Sequence, residues 1–152
     1  MARFNTEGLE PLLEDMRRLD QLTGPTADRM LLAGAEEVKQ AWKGEAARRR
    51  FRDAGAMISR IGFPRAVSRA HNIVSVDIYP QGKDKKGMRN AEKAFILHYG
   101  TDAGNAKTSR KKKKLSGKGI PRSLWVDAAD EAAGPRVIEV YTRIWDEFLK
   151  GR

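Results

Sequence analysis

The sequence contains no cysteine and only two histidines, His71 and His98. The first absence excludes disulfides, thiolate metal ligands and a cysteine nucleophile. The second leaves too few imidazoles for a zinc site unless carboxylates join at unconvincing spacings. No apolar run approaches the roughly 18 residues of a membrane span. The start, Met1-Ala2-Arg3-Phe4-Asn5, passes directly into a charged amphipathic pattern without a signal-peptide core. A soluble, non-exported protein is the expectation. Walker A, Gly-x-Gly-x-x-Gly and Gly-x-Ser-x-Gly motifs are missing as well. Adjacent carboxylates occur at Glu14-Asp15, Glu36-Glu37 and Asp146-Glu147, on segments so rich in charge that solvated helix faces account for them. Neither a catalytic group, a metal nor a cofactor is expected.

What is present is positive charge, unevenly placed. The 152 residues carry a formal net charge of +10. Residues 1–20 hold three basic and five acidic side chains, and residues 127–152 hold four and six. The excess therefore lies in the middle: eight basic against two acidic residues from Lys43 to Arg69, and seven against none from Lys107 to Lys118. A basic middle with acidic ends favours head-to-tail association or contact with a polyanion. Clustered lysine and arginine bind phosphates through counterion release without reading sequence. Non-specific contact of the Lys107–Lys118 run with DNA is thus a second functional reading. Single-strand binders add aromatic stacking platforms, and this run has none.

The length suits one domain spanning 1–152. Leu9, Leu12, Leu13, Met16 and Leu19 make one apolar stripe, predicting a helix over Glu7–Asp20 with Thr6 as its cap. Thr26 opens a second helix to about Arg50, with Met30, Leu31, Ala35, Val38, Ala41 and Trp42 inward; Gly34 and the alanines imply close packing. The period then changes to two. Met57, Ile61 and Phe63 predict a strand ending at Pro64, Ile73–Tyr79 a second, and Ala94–Tyr99 a third. The 81–90 loop is expected to order only on assembly. Residues 101–119 read as a flexible basic loop, since the run Arg110-Lys111-Lys112-Lys113-Lys114 repels itself and cannot build a core. Helical character resumes at Pro121–Ala133, breaks at Gly134-Pro135 and continues to about Lys150. The expected fold is α+β: two N-terminal helices, a small antiparallel sheet of three to four strands, and C-terminal helices packed on it.

Five short motifs in order carry a resemblance. They are Gly8-Leu9-Glu10-Pro11-Leu12-Leu13; Leu32-Ala33-Gly34-Ala35-Glu36-Glu37-Val38; Asp53-Ala54-Gly55-Ala56-Met57-Ile58-Ser59; a segment ending in Tyr99-Gly100-Thr101; and Ile120-Pro121-Arg122-Ser123-Leu124-Trp125 leading into Val126-Asp127-Ala128-Ala129. Over nearly the whole chain this order resembles the tail-component family of siphophages and prophages, called neck, tail-completion or head–tail joining proteins. The resemblance implies a non-enzymatic virion protein at the head–tail junction, assembled in the bacterial host cytoplasm. It also implies a ring of copies of itself, six in number, contacting tail-tube and head-connector proteins. Tyr99, Gly100, Thr101, Arg110, Lys111, Lys112, Lys113, Lys114, Ile120, Pro121 and Trp125 are the residues expected to make assembly contacts. By their own chemistry, Gly100 can take a positive φ that ends the strand sharply, Thr101 can hydrogen-bond locally, and Tyr99 would bury its ring and keep its hydroxyl paired.

Overall fold

The computed structural model describes residues 22–70, 73–101 and 119–151. The expected first helix, Glu7–Asp20, lies outside them. A single wide turn at Leu22–Thr26 leads into α1, Ala27–Arg48. Strong helix formers fill this segment, among them alanine, leucine, methionine, glutamate and lysine. Thr26 has helical backbone angles and makes no side-chain cap bond, so it does not open the helix in the expected way.

The partner of α1 is α4, Trp125–Leu149, lying antiparallel to it. Arg29 Nη2 meets Glu147 Oε2 at 2.6 Å near one end, and Trp42 Nε1 donates to Asp130 Oδ1 at 2.6 Å toward the other. The buried seam is built of small residues: Gly34, Ala35, Ala41 and Ala46 on α1, Ala129 and Ala133 on α4. With little side chain between them the backbones approach closely. A Cβ on Gly34 would stand 2.7 Å from the Tyr141 ring. Burial raises the Tyr141 hydroxyl pKa above its usual value.

Two expectations about this helix fail. Gly134-Pro135 does not break it; α4 runs straight through Pro135. Proline deprives the Glu131 carbonyl of its partner, but Glu131 and Pro135 are both exposed, where water can satisfy that oxygen. The inward Ala129–Ala133–Val137 face continues on either side. The helix also starts at Trp125, not Pro121, because the His98 carbonyl accepts the amides of Ser123 and Leu124 at 3.1 Å each and holds that stretch non-helical.

Between the long helices, α2 (Gly55–Ser59) takes up the first three residues of the expected Met57–Phe63 strand. Met57 and Ile61, four residues apart, both face the core. Strand β1 (Ile61–Gly62) pairs antiparallel with β4 (Tyr79–Pro80), and β2 (Ser68–Ala70) with β3 (Ile73–Ser75). The second ladder lies, in sequence, between the two strands of the first. Phe63 and Arg69 meet α1, with Lys39 Nζ 5.5 Å from the Phe63 ring centroid and Arg69 joined to Asp28 at 2.5 Å. Among the described residues, the expected three- to four-stranded sheet is thus four very short strands in two separate ladders. The expected Ile73–Tyr79 strand is split between β3 and β4.

The clearest correction concerns Ala94–Tyr99, which is not a strand. It is the second half of α3, Asn90–Tyr99. The buried residues Asn90, Ala94 and His98 recur every four positions, a helical spacing. Phe95 and Tyr99 share the outer face, their ring centroids 4.6 Å apart and their planes tilted by 51°. The main core gathers Ala46, Ala54, Met57, Ile61 and Ala94 around fully buried Trp125, with the Trp42 and Phe51 rings edge-on to it at 5.5 and 6.3 Å.

Candidate functional site

The end of α3 meets the start of α4, and each supplies what the other's terminus lacks. A helix C-terminus leaves carbonyls unpaired and an N-terminus leaves amides unpaired. Here the His98 carbonyl takes two amides, and the Ser123 hydroxyl donates to the Leu97 carbonyl. His98 Nδ1 accepts the Val126 amide at 3.3 Å, an N-terminal cap for α4 supplied from another helix. Trp125 Nε1 completes the joint by donating to the Ala94 carbonyl at 3.3 Å.

His98, Ser123 and Asp127 therefore lie close together but are committed to structure. With Nδ1 accepting an amide, the neutral ring carries its proton on Nε2, which sits 3.7 Å from Asp127 Oδ1. The Ser123 hydroxyl faces a carbonyl and not the imidazole. Among the described residues no three carboxylates or histidines converge on a point where a metal could sit.

Beyond this joint, Gly100 closes α3 with φ 77° and ψ −177°. Its amide donates to the Ile96 carbonyl at 2.8 Å. Thr101 and Ile120 then clasp each other: the Thr101 amide donates to the Ile120 carbonyl at 2.8 Å, and the Ile120 amide to Thr101 Oγ1 at 3.1 Å. Tyr99, Gly100, Thr101, Ile120 and Pro121 thus border one shallow depression at the stem of the 102–118 segment. The positive φ of Gly100 agrees with the expectation, whereas Thr101 bonds not to its own neighbourhood but to Ile120, 19 residues on.

Other assignments need correction. Tyr99 does not bury its ring; it is 53% exposed, beside Phe95 at 63% and Ile120 at 42%. On a helix the outward-facing pair i and i+4 is Phe95 and Tyr99, whereas a strand would have turned Phe95, Leu97 and Tyr99 together toward the core. Trp125 is the reverse case, fully buried and a core anchor, not a contact surface. Arg110, Lys111, Lys112, Lys113 and Lys114 lie outside the described residues.

The 81–90 segment, expected to order only on assembly, is a closed turn. Asp84 Oδ1 accepts the amides of Lys86 and Met88 at 2.8 and 3.0 Å, and Asp84 Oδ2 accepts Lys93 Nζ at 2.7 Å. Asn90 Nδ2 donates to the Gln81 carbonyl at 2.7 Å and its amide to the Gly82 carbonyl at 3.0 Å. The bond from Lys93, then those from the backbone amides, hold the Asp84 carboxyl below its ordinary pKa. Asp84-Lys85-Lys86-Gly87 is a recognisable turn signal that the local charge obscured.

At the end of α1, Glu45 accepts Arg48 Nε and Nη2 at 2.7 and 2.8 Å and Arg49 Nε at 2.7 Å. These bonds, Arg48 first, hold its carboxyl at about 2. Arg49 Nη1 also reaches the Ser123 carbonyl at 3.1 Å, tying this end of α1 to the joint. No family model, curated protein or solved structure matches the chain.

Proposed function

We propose that this chain is a non-catalytic assembly subunit that forms a ring at the head–tail junction of a long-tailed phage, as a neck, tail-completion or head–tail joining component. The observation that carries the reading is a pair of separated apolar surfaces on one subunit. The first is the adjoining Phe95–Tyr99 pair with Ile120, beside the start of α4. The second comprises Ile138, 67% exposed, and Leu149, 54% exposed, further along α4. At about 1.5 Å rise per residue these lie roughly 20 and 36 Å from Trp125. Single exposed apolar residues are ordinary, but exposed apolar side chains at both ends of one subunit are what a heterologous, ring-closing interface needs. Acidic ends flanking a basic middle and the ordered succession of five motifs support the same reading. Its expected partners are further copies of itself, the tail tube and the head connector, with the virion as its location.

Native mass spectrometry and negative-stain imaging across a concentration series test this, with the protein alone and mixed with tail-tube and connector proteins. A closed ring, six copies by expectation, should form in at least one of these conditions. Phe95→Glu and Ile138→Glu should each abolish it while leaving the circular dichroism unchanged. A monomer under every condition, or an assembly indifferent to both substitutions, rejects the proposal.

A further inference from the structure

Two basic turns distant in sequence stand side by side, joined by Lys93. Its ammonium donates to Asp84 Oδ2 at 2.7 Å and to the Asp53 carbonyl at 3.0 Å. Lys86 Nζ stands 3.7 Å from Asp53 Oδ2 across the same boundary. Arg60 flanks the pair: its carbonyl accepts the Gln81 amide at 2.9 Å, and its Nη1 would be 3.5 Å from a Cβ on Gly82. Lys83 and Arg89 face each other across the second turn. Three separate stretches of chain thus present Arg50, Arg52, Arg60, Lys83, Lys85 and Arg89 on one neighbourhood of surface, all exposed.

Three of the carboxylates nearby are already committed, whereas Glu92, exposed on the first turn of α3, is not. Asp84 is bound to Lys93 and two amides, Asp53 faces Lys86, and Glu45 is shared by Arg48 and Arg49. Among the described residues none of the six exposed basic groups has an acidic partner within 4 Å. Complementing the negative end of α1 accounts for Arg48 and Arg49. It does not account for Lys83, Lys85 and Arg89, which come from another part of the chain.

The backbone points the same way. Arg50 and Asp53 take φ of 50° and 55°, in the left-handed region that residues with a Cβ adopt only at a cost. Arg50 follows the C-cap of α1, a position glycine usually fills. The turn that carries Arg50 and Arg52 is therefore held in a costly shape by its surroundings.

We propose that this surface binds the phosphate backbone of duplex nucleic acid without reading sequence. The site is formed by folded turns and is distinct from the Lys107–Lys118 run; it does not depend on the ring assignment. A duplex is favoured over a single strand because the turns offer no stacking platform. Phe51, the one aromatic between the arginines, is packed edge-on against Trp125.

The test is fluorescence anisotropy of the full chain on a short duplex, and on one of its strands, over a salt series. Wild type should bind the duplex more tightly than the strand, with affinity falling steeply as salt rises. The variant Arg52→Gln/Lys83→Gln/Lys85→Gln/Arg89→Gln should weaken duplex binding at least about tenfold near 0.1 M salt. It should also reduce the salt slope by roughly 3–4, since each phosphate contact contributes about 0.9. A Lys111→Gln/Lys112→Gln/Lys113→Gln/Lys114→Gln variant should lose less than the turn variant. If the fourfold turn variant fails to fold, Lys83→Gln/Lys85→Gln should still reduce the slope by roughly 2. Absence of duplex binding at low salt, as for a purely protein partner, overturns the proposal. So does tighter binding to the single strand, or a folded turn variant with wild-type affinity and slope.

Discussion

Gly100 combines a positive φ with an extended ψ, a region essentially reserved for glycine. A Cβ there would also stand 2.5 Å from the Ile120 carbonyl oxygen and 2.8 Å from the Arg122 amide nitrogen, both backbone atoms that cannot swing aside. Gly100→Ala is therefore expected to destabilise the protein by roughly 2–3 kcal/mol, through strain plus steric overlap. Gly87 is the internal control, since its φ is 81° but nothing lies within 4 Å of a Cβ. Gly87→Ala should cost about 1 kcal/mol, the conformational part alone. Urea unfolding midpoints of the two variants measure the difference; equal losses would mean that the contact of Gly100 with residues 120–122 carries no energy. The need for glycine at position 100 was legible in Tyr99-Gly100-Thr101. That Gly100 ends a helix and not a strand was not.

At the level of elements the antiparallel α1–α4 pair dominates, and at Gly34 the Tyr141 ring leaves no room for a Cβ. Alanine is preferred to glycine in a helix by roughly 1 kcal/mol, but overpacking costs about 1–3 kcal/mol. Gly34→Ala in the wild-type background should therefore be destabilising. In a Tyr141→Ala background, where the ring is gone, the same substitution should become stabilising by about 1 kcal/mol. A double-mutant cycle read by thermal or chemical unfolding checks this reversal of sign; additive effects would show that the ring does not press on the helix. The alanines and Gly34 implied this close seam in advance, although they left open whether the neighbour was the sheet or the last helix. Phe95, Leu97 and Tyr99 alternate like a strand, which masks the helical period of α3. Short apolar runs satisfy both periods, and the deciding positions, Asn90 and His98, are polar residues that pattern reading places outside.

For the whole molecule, acid should remove stability in a defined window. The Glu45 carboxyl is held down from its ordinary 4.5 to about 2 by Arg48 and then Arg49. Lys93 lowers Asp84, and Lys39 followed by Gln40 lowers Glu36. A carboxyl whose folded-state pKa is depressed stabilises the fold above its unfolded pKa, and that contribution disappears as pH falls through the folded value. The melting temperature should thus drop between about pH 4.5 and 2. Protonating other carboxylates raises the net positive charge and adds repulsion in the same range. Comparison with Glu45→Gln isolates the specific part: this variant should melt lower at neutral pH and lose less on acidification. Parallel curves for the two proteins would show that the Glu45 cluster contributes nothing to folding.

By itself the sequence determined the long central helix, the glycine at the end of α3, the small-residue seam and the basic middle. Each of these depends on local propensity, on spacing along one element, or on a simple count of charges. Only the tertiary structure decided the rest. It made Ala94–Tyr99 a helix, carried α4 through Pro135, buried Trp125 and exposed Tyr99, and drew Thr101 and Ile120 together into the stem of the 102–118 segment. It also set the 50–53 and 83–89 turns against each other through Lys93. Those outcomes depend on which unpaired carbonyl or amide finds a partner far along the chain, as His98 does at Ser123, Leu124 and Val126, and no window of neighbouring residues contains that information.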